Sequence, residues 1–418
     1  MNVAIVGLGK IGLPLAVQFA SKGATVAGYD VDGARVRLIN EKYNPLPAEP
    51  GLEERIPGLV VSGHLRATTD PRDAVAAADV VVFIVPVDVD ATQRPDFALL
   101  DAAVDAVAPH VPRGVLLIVE TTVPVGTTRR VAARVGELAG LTPGADFSAA
   151  FSPERVSSGR VLRDLATYPK IVGGIDAHST ARAADFYRAM LDATVMEVRD
   201  AETAEFSKLA ETTYRDVNIA LANEFARIAD RLGVDALQAI EAANSQPYSH
   251  IHAPGVGVGG HCIPVYPYFL AGDDTEIIAA ARRLNDDMAH YAVGRLAAAI
   301  GSLEGRTVVV LGLAYRPGVK ESRHSSALAL ASQLAAAGAT VYVHDSLYAP
   351  DEIRAHGLEP PPSFPCPAEA LVIQAWHAEY ESLDLRSFSG VRAILDGRGA
   401  LDAAEVERLG LTYVGIGR

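Results

Sequence analysis

The first thirty residues contain a strand, a glycine-rich turn, a helix and a second strand, an order that few folds accommodate. The apolar run Val3–Val6 leads into the turn Gly7–Gly12, and Asp30 ends the next apolar run. In such a βαβ unit the first glycine permits the tight turn, the second lets a pyrophosphate approach the backbone, and the third lets the helix pack on the strand. The helix N-terminus adds N–H groups that attract an anion. The pattern therefore predicts an α/β domain that binds a dinucleotide.

The acid that ends the second strand indicates which dinucleotide this is. We expect Asp30 to accept hydrogen bonds from the adenosine ribose, and its carboxylate would repel a 2′-phosphate, which favours NAD over NADP. The alternative is a glycine-rich turn that binds no ligand, but strand, glycines, helix and acid all agree with a cofactor site. The residues assigned to this NAD site are Gly7, Gly9, Lys10, Ile11, Gly12, Asp30, Arg35, Val85, Pro86, Glu120 and Thr122.

A regular alternation of short apolar runs with Ala-rich stretches extends this pattern to about residue 198. Alternation of this kind is typical of βαβ units that build a parallel sheet. The strands predicted in this part are Val3–Val6, Thr25–Tyr29, Val80–Val85, Val115–Val119, Asp146–Ala150 and Ile171–Gly173.

Two long helical segments follow. The segment from Ala201 to about Leu232 is almost free of glycine and proline, and it would form a helix about 48 Å long at 1.5 Å per residue. The second segment runs from Glu276 to about Ile300, and after Gly305 the α/β alternation resumes. The elements predicted there are the strands Thr307–Leu311, Thr340–His344, Leu371–Ala375, Arg392–Leu395 and Tyr413–Gly415, and the helix Ser325–Ala337.

These segments divide the chain into three parts. We predict an NAD-binding domain at residues 1–198, a helical connector at 199–300 and a second α/β domain at 301–418. The fold class is therefore α/β, with two Rossmann-like, doubly wound domains joined by a long helical connector. Because a long connector helix buries little of its surface within one chain, we expect a homodimer formed through it.

Composition excludes several classes of protein. The 37 Lys and Arg residues against 51 Asp and Glu residues give a net charge of −14, so we expect no binding to nucleic acid or to an anionic membrane surface. The longest apolar run, Val80–Val87, is far shorter than the ~20 residues of a membrane-spanning helix. Two cysteines are too few for a disulfide framework or a structural zinc site, so we expect no bound metal and a cytoplasmic location.

Two polar motifs follow predicted strands of the first domain. Glu120–Thr128 places several hydroxyl groups after one strand, and Ser152–Arg155 ends a later strand. Ligands of open α/β sheets bind at these carboxyl ends. The first motif is equally an ordinary N-cap cluster and the second an ordinary turn, so the motifs alone leave both interpretations open.

The connector carries a further candidate site. Lys208 and Thr212 are four residues apart and therefore share one helix face, together with Glu205 and Arg215. A solvated charged face is the usual explanation of such a pattern. The loop Pro254–Pro264 favours a site instead, because its many glycines would let backbone N–H groups converge around the single cysteine of the loop.

That cysteine is Cys262. A buried free cysteine is most often a small hydrophobic residue, whereas one in a glycine-rich loop with a lysine nearby is favoured to react as a thiolate. His261 is either a base for this thiol or, more commonly for a loop histidine, a residue satisfied by backbone groups. Cys366, which lies between two prolines, is interpreted as structural.

Together these motifs resemble those of the UDP-glucose/GDP-mannose dehydrogenase family, and within it the branch that acts on UDP-N-acetylhexosamines. The resemblance covers the chain nearly end to end, and Gly-His-Cys rather than Gly-Ser-Cys favours that branch. The matching motifs are Gly7–Gly12, Thr121–Thr128, Phe151–Arg155, Lys208–Glu211, Tyr214–Glu224, Gly255–Pro264, Gly312–Tyr315 and Arg323.

The resemblance implies a four-electron oxidation of the sugar's C6 alcohol to a carboxylate, with two NAD⁺ and without release of the aldehyde. It implies that Cys262 adds to the aldehyde as a thiohemiacetal and that water hydrolyses the later thioester. Lys208 would stabilise the oxyanion, Glu154 would orient or deprotonate the water, and Thr122 would help to hold it. The resemblance assigns catalysis to Cys262, Lys208, Glu154, Thr122, Thr212 and Tyr266, and UDP-sugar binding to the C-terminal domain with Arg155, Lys208, Gly259, Tyr315, Arg316 and Arg323.

Some positions depart from the family pattern. Tyr266 stands where the family usually carries an acid, and a phenol is a poor base at neutral pH. Thr212 stands where many members have asparagine, and Tyr248 where the branch often has arginine. Val87-Asp88 replaces the usual Thr-Pro. Tyr266 is therefore either a packing residue or part of a changed proton relay, and the sugar stays open.

Other functions compete with this one. UDP-glucose or GDP-mannose is an alternative substrate. A 3-hydroxyacid-type dehydrogenase also joins a Rossmann domain to helices bearing a lysine, but it needs one NAD⁺, no cysteine and no second α/β domain. A catalytically idle nucleotide-sugar-binding protein is the third possibility, with Tyr266 as the sign of decay. The uronate would serve cell-wall or capsule polysaccharide or a specialised metabolite.

Overall fold

The computed structural model describes residues 1–47, 49–272 and 274–418. The chain forms two compact units. Unit 1 comprises Met1–Glu211 with Tyr268–Leu270, and unit 2 comprises Thr212–Pro267 with Ala271–Arg418. The boundary lies inside the long helix Ala201–Leu232. The structure divides into two compact units, whereas the sequence predicts three domains, so the three-domain division stays a prediction.

Unit 1 alternates strands and helices along the chain. Its strands are β1 (Asn2–Val6), β2 (Thr25–Tyr29), β3 (Leu65–Thr68), β4 (Val80–Phe83), β5 (Asp88–Val89), β6 (Pro95–Asp96), β7 (Leu116–Val119), β8 (Ser148–Phe151), β9 (Lys170–Gly174) and β10 (Val195–Glu197). Its helices are α1 (Gly12–Ser21), α2 (Gly33–Asn40), α3 (Leu52–Val61), α4 (Pro71–Val75), α5 (Ala98–Val107), α6 (Thr127–Ala139), α7 (Val161–Thr167) and α8 (Ala177–Met190), and α9 (Ala201–Leu232) begins in it.

The main sheet of unit 1 is parallel except at one pair of strands. Among the described residues it has eight strands in the order β10-β9-β8-β7-β4-β1-β2-β3. Strands β8 and β9 are antiparallel, with Ala150 opposite Gly174, so the expectation of a parallel sheet is wrong at this pair. The connection between them, which carries α7, returns the chain to the sheet at the edge where it left. The direction of β9 therefore follows from the path of residues 152–169 and not from the apolar pattern of the strand itself.

Unit 2 combines two long helical segments with a second parallel sheet. Besides the rest of α9, its helices are α10 (Ala236–Asn244), α11 (Glu276–Ile300), α12 (Ser326–Ala336), α13 (Pro350–Ala355) and α14 (Ala403–Arg408). Its strands are β11 (Thr307–Leu311), β12 (Thr340–His344), β13 (Ala370–Ile373), β14 (Ala393–Asp396) and β15 (Thr412–Gly415), in the order β12-β11-β13-β14-β15. Val308 and Val310 pack into the core under α11 and α12, whereas Val309 and Leu311 pack into a core on the other face. Both faces of this sheet are covered, as in a doubly wound fold.

The predicted elements are confirmed to within about two residues at each end, and the α/β fold class is confirmed. The strands β3 and β10, which the sequence analysis missed, lie at the two edges of the main sheet. Both are short and partly exposed, so their sequences carry little of the apolar pattern that marks a central strand. In the described ranges, no helix combines the length and the apolar character needed to cross a membrane.

The N-terminus of α6 is capped by a side chain from another helix of unit 1. Glu205 on α9 accepts hydrogen bonds from the backbone N–H of Gly126 at 2.6 Å and from the N–H and hydroxyl of Thr128, both at 2.7 Å. The carboxylate is fully buried. It satisfies N–H groups that lack intrahelical partners and places a negative charge at the positive end of the helix dipole.

Replacing Glu205 by alanine should loosen α6 selectively. Because buried N–H groups lose a charged acceptor, we expect the opening free energy of α6 to fall by about 2–3 kcal/mol, which corresponds to amide hydrogen exchange roughly 30- to 150-fold faster across Thr127–Ala139. The control is Glu202→Ala, which removes an exposed ion pair with Arg129 between the same two helices and should change exchange less than about 5-fold. Equal effects of the two substitutions would contradict the capping role.

Candidate active site

The turn between β1 and α1 forms an open cradle in unit 1. A Cβ atom added at Gly12 would lie 1.8 Å from the carbonyl oxygen of Gly7, so the start of the helix packs too closely on the turn for any side chain. A Cβ added at Gly9 would meet no described atom within 4 Å. This open space at a helix N-terminus fits the pyrophosphate of a dinucleotide.

Asp30 is fixed beside this cradle by three donors. Its Oδ2 accepts from the Leu8 amide at 2.8 Å and from the Arg35 guanidinium at 2.9 Å, and its Oδ1 accepts from the Asp32 amide at 2.9 Å. Asp30 is 7% exposed. The structure thus brings Asp30 and Arg35 together at the end of β2. The other residues assigned to the NAD site lie in the turn, at Lys10 and Ile11, or on the segment after β4, at Val85 and Pro86.

A buried polar cluster lies at the edge of the main sheet where β7 and β8 end and β9 begins. Lys170, the first residue of β9, places its Nζ 3.2 Å from Glu120 Oε1 and 3.2 Å from Glu154 Oε2. Tyr187 on α8 donates its hydroxyl to Glu120. If the β8–β9 register is continued from Phe151 to Glu154, Glu154 falls opposite Lys170. The antiparallel pairing is therefore what brings these two side chains together.

Burial dominates the electrostatics of this cluster. Burial raises the pKa of the Glu120 carboxyl, against the lowering effect of Lys170. Burial lowers the pKa of the Lys170 ammonium, but the two carboxylates outweigh it and the net pKa is raised. The ammonium is therefore charged at neutral pH. The side chain of Glu120, which the sequence assigns to the NAD site, is engaged by Lys170 and Tyr187.

The two charged residues after β8 are held in different ways. Glu154 Oε1 accepts from the backbone N–H groups of Arg155 at 2.6 Å and Val156 at 3.1 Å, so its other oxygen faces Lys170. Arg155, which the sequence assigns to substrate binding, donates through Nε to Glu211 on α9 at 2.7 Å. The motif is therefore more than a turn, because it fixes a carboxylate next to a buried lysine.

The predicted catalytic residues on α9 are buried. Lys208 lies on the part of α9 that belongs to unit 1 and Thr212 on the part that belongs to unit 2. Glu205 and Thr122 are buried as well. The part of this helix face that carries Glu205, Lys208 and Thr212 is therefore not solvated, whereas Arg215 on the same face is exposed. The roles of Lys208, Thr212 and Thr122 stay predictions.

In unit 2, Cys262 lies half-buried on a loop that packs on the segment after β11. The amide of Gly260 donates to the carbonyl oxygen of Arg323 at 2.9 Å. A Cβ added at Gly259 would lie 2.7 Å from the Cβ of Tyr315, so the loop approaches this segment more closely than a side chain would permit. The cysteine loop and the segment 312–326 therefore form one piece of structure.

Further side chains complete this part of unit 2. The ring Nε2 of His261 contacts the carboxylate of Glu321, so this histidine faces a carboxylate. The amide of Tyr266 donates to the carbonyl oxygen of Cys262 at 2.9 Å and closes a helical turn after the cysteine. The Arg316 Nε donates to the Tyr315 hydroxyl at 3.2 Å. Four residues assigned to substrate binding thus lie in the same unit as Cys262: Gly259, Tyr315, Arg316 and Arg323.

Sequence reasoning missed an arginine that lies against the same loop. Arg398 follows β14, and its Nε donates to the Gln374 carbonyl at 2.7 Å while its Nη1 reaches the Gly257 carbonyl at 3.4 Å. Burial lowers the pKa of the Arg398 guanidinium to about 10. The sequence does hold a signal, because Asp-Gly-Arg-Gly directly follows a predicted strand, at the edge where ligands of such sheets bind.

Unit 2 also has an acid at the end of its second strand. Asp345 follows β12 and its Oδ2 accepts from the amides of Leu313 and Ala314, both at 2.8 Å. The Nε2 of His377 lies 3.0 Å from the same oxygen, and both side chains are fully buried. In contrast to Asp30, this acid is sealed inside its unit by a histidine.

The second cysteine and the candidate metal ligands add no site. Cys366 is buried, and burial raises the pKa of its thiol, in agreement with a structural residue. Within the parts of the chain that the structure describes, no group of three or more His, Cys, Asp and Glu side chains is placed to hold a metal ion.

Family models match the chain in three consecutive parts. They belong to the UDP-glucose/GDP-mannose dehydrogenase family and comprise the NAD binding domain over residues 1–191, the central domain over 202–287 and the UDP binding domain over 309–403. The cradle beside Asp30 lies in the first of these parts, and the segment 312–326 lies in the third.

Individual relatives match over most or all of the chain. A UDP-N-acetyl-D-mannosamine dehydrogenase from Pyrococcus horikoshii is 37% identical over 437 residues, which cover 100% of this chain and 99% of that protein. An NDP-N-acetyl-D-galactosaminuronic acid dehydrogenase from Ralstonia solanacearum is 36% identical over 337 residues, 78% of each chain. The solved structure of a UDP-D-ManNAc dehydrogenase from Pyrococcus horikoshii gives a TM-score of 0.90 at 34% identity and covers 100% of this chain and 99% of that one. Since such similarity extends from end to end, the chain belongs to the UDP-glucose/GDP-mannose dehydrogenase family and is an NAD-dependent nucleotide-sugar 6-dehydrogenase.

Proposed function

We propose that the protein oxidises the C6 alcohol of a UDP-N-acetylhexosamine to the uronate in two steps, with Cys262 as the covalent nucleophile. The observation that carries this proposal is the packing of the Cys262 loop on the segment 312–326, which joins the nucleophile to the UDP-binding part of the chain within unit 2. The names of the relatives support an N-acetylated sugar, with UDP-N-acetylmannosamine as the first candidate. UDP-glucose and GDP-mannose are the alternative substrates.

When bound, NAD⁺ supplies the hydride acceptor for both oxidations. The residues proposed to hold it surround the cradle of unit 1. Gly9 leaves room for the pyrophosphate, and Asp30 offers acceptor oxygens to the ribose. Arg35 keeps the Asp30 carboxylate in place through its guanidinium.

The covalent chemistry belongs to the chain's own residues. Cys262 adds through Sγ to the carbonyl carbon of the sugar aldehyde, and its thiol proton leaves as the C–S bond forms. A second oxidation leaves a thioester, which water cleaves at the same C–S bond to release the carboxylate and restore the thiol. Lys208 stabilises the oxyanion of these steps, and Glu154 accepts the proton of the attacking water, which Thr122 helps to hold. Tyr266 has a packing role with modest assistance to catalysis.

A homodimer through α9 is part of this proposal. Tyr214, Leu221, Phe225 and Leu232 are exposed large apolar residues of α9 within unit 2. At 100° per residue, their spacings of 7, 11 and 18 residues from Tyr214 place all four within about 20° of one helix direction. A continuous apolar stripe of this kind is typical of a surface that a second copy covers.

The location and the use of the product complete the proposal. A cytoplasmic location is supported by the two cysteines, neither of which forms a disulfide. A nucleotide-linked uronate is an activated glycosyl donor, which supports a role in supplying polysaccharide synthesis.

The stoichiometry tests the reaction directly. Incubation with NAD⁺ and a panel of UDP- and GDP-sugars should produce two NADH for each uronate, with UDP-N-acetylhexosamines giving the highest kcat/KM and no free aldehyde detected by mass spectrometry. One NADH per sugar would indicate a one-step dehydrogenase instead. Binding of NAD⁺ without turnover of any nucleotide sugar would support the idle binding protein.

Replacing Cys262 by alanine should abolish acid formation. The side chain contributes covalent chemistry only, so the Kd values for NAD⁺ and for the nucleotide sugar should change less than about 3-fold. Cys366→Ala is the matched control and should keep the wild-type rate, because that thiol is buried away from the loop in the core of the second sheet. Acid production at the wild-type rate by Cys262→Ala would remove the cysteine from the mechanism.

Charges placed on the α9 stripe should separate the subunits. We expect the wild-type protein to elute at twice the 44.0 kDa mass of the chain in light-scattering chromatography, and the Leu221→Arg, Phe225→Arg double variant to elute as a monomer. Leu99→Arg, at an exposed leucine of α5, is the control and should stay dimeric. A dimer that survives both arginines would place the interface elsewhere.

A further inference from the structure

The buried lysine at the start of β9 has no part in the chemistry proposed so far. An ammonium is costly to bury, and Lys170 is accommodated because two carboxylates flank it. Replacing such an ion set with apolar residues is often neutral or stabilising, so stability alone does not account for it. The hydrogen bonding of these three side chains is also incomplete, since Glu120 Oε2 has no hydrogen-bond partner among the described residues.

The charged members of this cluster differ in their access to solvent. The side chain of Glu120 is fully buried, that of Lys170 is 5% exposed and that of Glu154 is 12% exposed. A cavity of about 10 Å³, which is room for one water molecule, lies beside Glu154 and Lys170. The cluster is therefore a buried row of charges that opens toward solvent at Glu154.

Glu154 is held from two sides. One carboxylate oxygen accepts two backbone N–H groups, which fixes where the group sits. The other faces the Lys170 ammonium at 3.2 Å, which fixes its direction. Lys170 in turn is held by Glu120, and Glu120 by the Tyr187 hydroxyl.

We infer that Lys170 and Glu120 are positioning residues for Glu154: Lys170 holds and aims the Glu154 carboxylate, and Glu120 holds the Lys170 ammonium in place. This inference rests on the proposed function, in which Glu154 takes a proton from the water that cleaves the Cys262 thioester. In that step the O–H bond of water breaks, its proton passes to Glu154, a C–O bond forms, and the C–S bond breaks with its electron pair on sulfur.

The pH dependence of hydrolysis follows from the groups around Glu154. The charged or titratable side chains that contact it, contact its partners or line the adjacent cavity are Lys170, Glu120, Tyr187, Arg155, Glu211, Asp164 and Tyr168. Arg155 is engaged by Glu211, whereas Lys170 faces Glu154 directly. Loss of the Lys170 charge should therefore make ionised Glu154 less favourable and move the acidic limb of the pH–rate profile to higher pH.

The test uses the full-length enzyme with NAD⁺ and its best nucleotide sugar. Lys170→Met alone leaves two carboxylates without their cation and risks misfolding, so the main variant combines Lys170→Met with Glu120→Gln. We expect this variant to give a burst of two NADH per active site and a steady-state kcat lower than that of the wild type by about 10²- to 10³-fold. Intact-mass measurement should then show a covalent adduct on Cys262. The acidic limb should move to higher pH, but by less than loss of the lysine charge alone would give, because Glu120→Gln also removes a negative charge.

Two further variants separate positioning from a general structural role. Lys170→Arg keeps the charge and should restore kcat to within about 10-fold of the wild type. Lys22→Met, which removes an exposed ion pair with Asp192 in the same unit, should leave burst, kcat and pH profile unchanged. Two results would contradict the positioning role. The first is a double variant whose burst rate and steady-state kcat fall by the same factor. The second is a double variant that keeps the wild-type kcat and accumulates no adduct on Cys262.

A parallel variant distinguishes failure of this inference from failure of the proposed function. Glu154→Gln should accumulate the same Cys262 adduct after a normal burst. If it does not, Glu154 is not the base and the proposed mechanism fails, whatever the result at Lys170. If Glu154→Gln accumulates the adduct while the Lys170 variants behave like the wild type, the proposed mechanism stands and only the positioning role is wrong.

Discussion

In both units, the amide that follows the first glycine of a βα turn donates to an acid at the end of the neighbouring strand. The Leu8 amide lies 2.8 Å from Asp30 Oδ2, and the Leu313 amide lies 2.8 Å from Asp345 Oδ2. This bond ties each turn to a strand whose position is fixed by its pairing within a sheet. The cradle in unit 1 and the segment that supports the cysteine loop in unit 2 both start from turns fixed in this way.

Periodic features were predictable from the sequence, and features that depend on strand pairing were not. The helices α9 and α11 were predicted with their observed bounds, since long stretches without glycine or proline leave few alternatives. The direction of β9 was missed, because it depends on the connection from β8 and not on the strand's own residues. A parallel β9 would begin at the opposite edge of the sheet from Glu120 and Glu154. Lys170 was overlooked for that reason.

Site residues were likewise predictable where their pattern is local in the chain, and were missed where it depends on distant contacts. The glycine turn and Asp30 were predictable because their whole pattern lies within thirty residues. Glu205 was not recognised as a helix cap, since the N–H groups it accepts lie 77 to 79 residues earlier in the chain. For Cys262 the glycine-rich loop indicated reactivity, but the chemical step came from the resemblance to a family, because spacing alone does not specify a thioester.

The histidine that covers Asp345 has a consequence for how one chain keeps two nucleotides apart. With the Leu313 and Ala314 amides and His377 around it, the Asp345 carboxylate is not available to ribose hydroxyls in the way that Asp30 is. Ala314 also stands where unit 1 has the open position of Gly9. Two sheets with the same turn and the same strand-end acid would otherwise offer the cofactor two similar places to bind. With Asp345 engaged by His377, the turn in unit 1 is the one of the two that leaves its strand-end acid beside an open cradle.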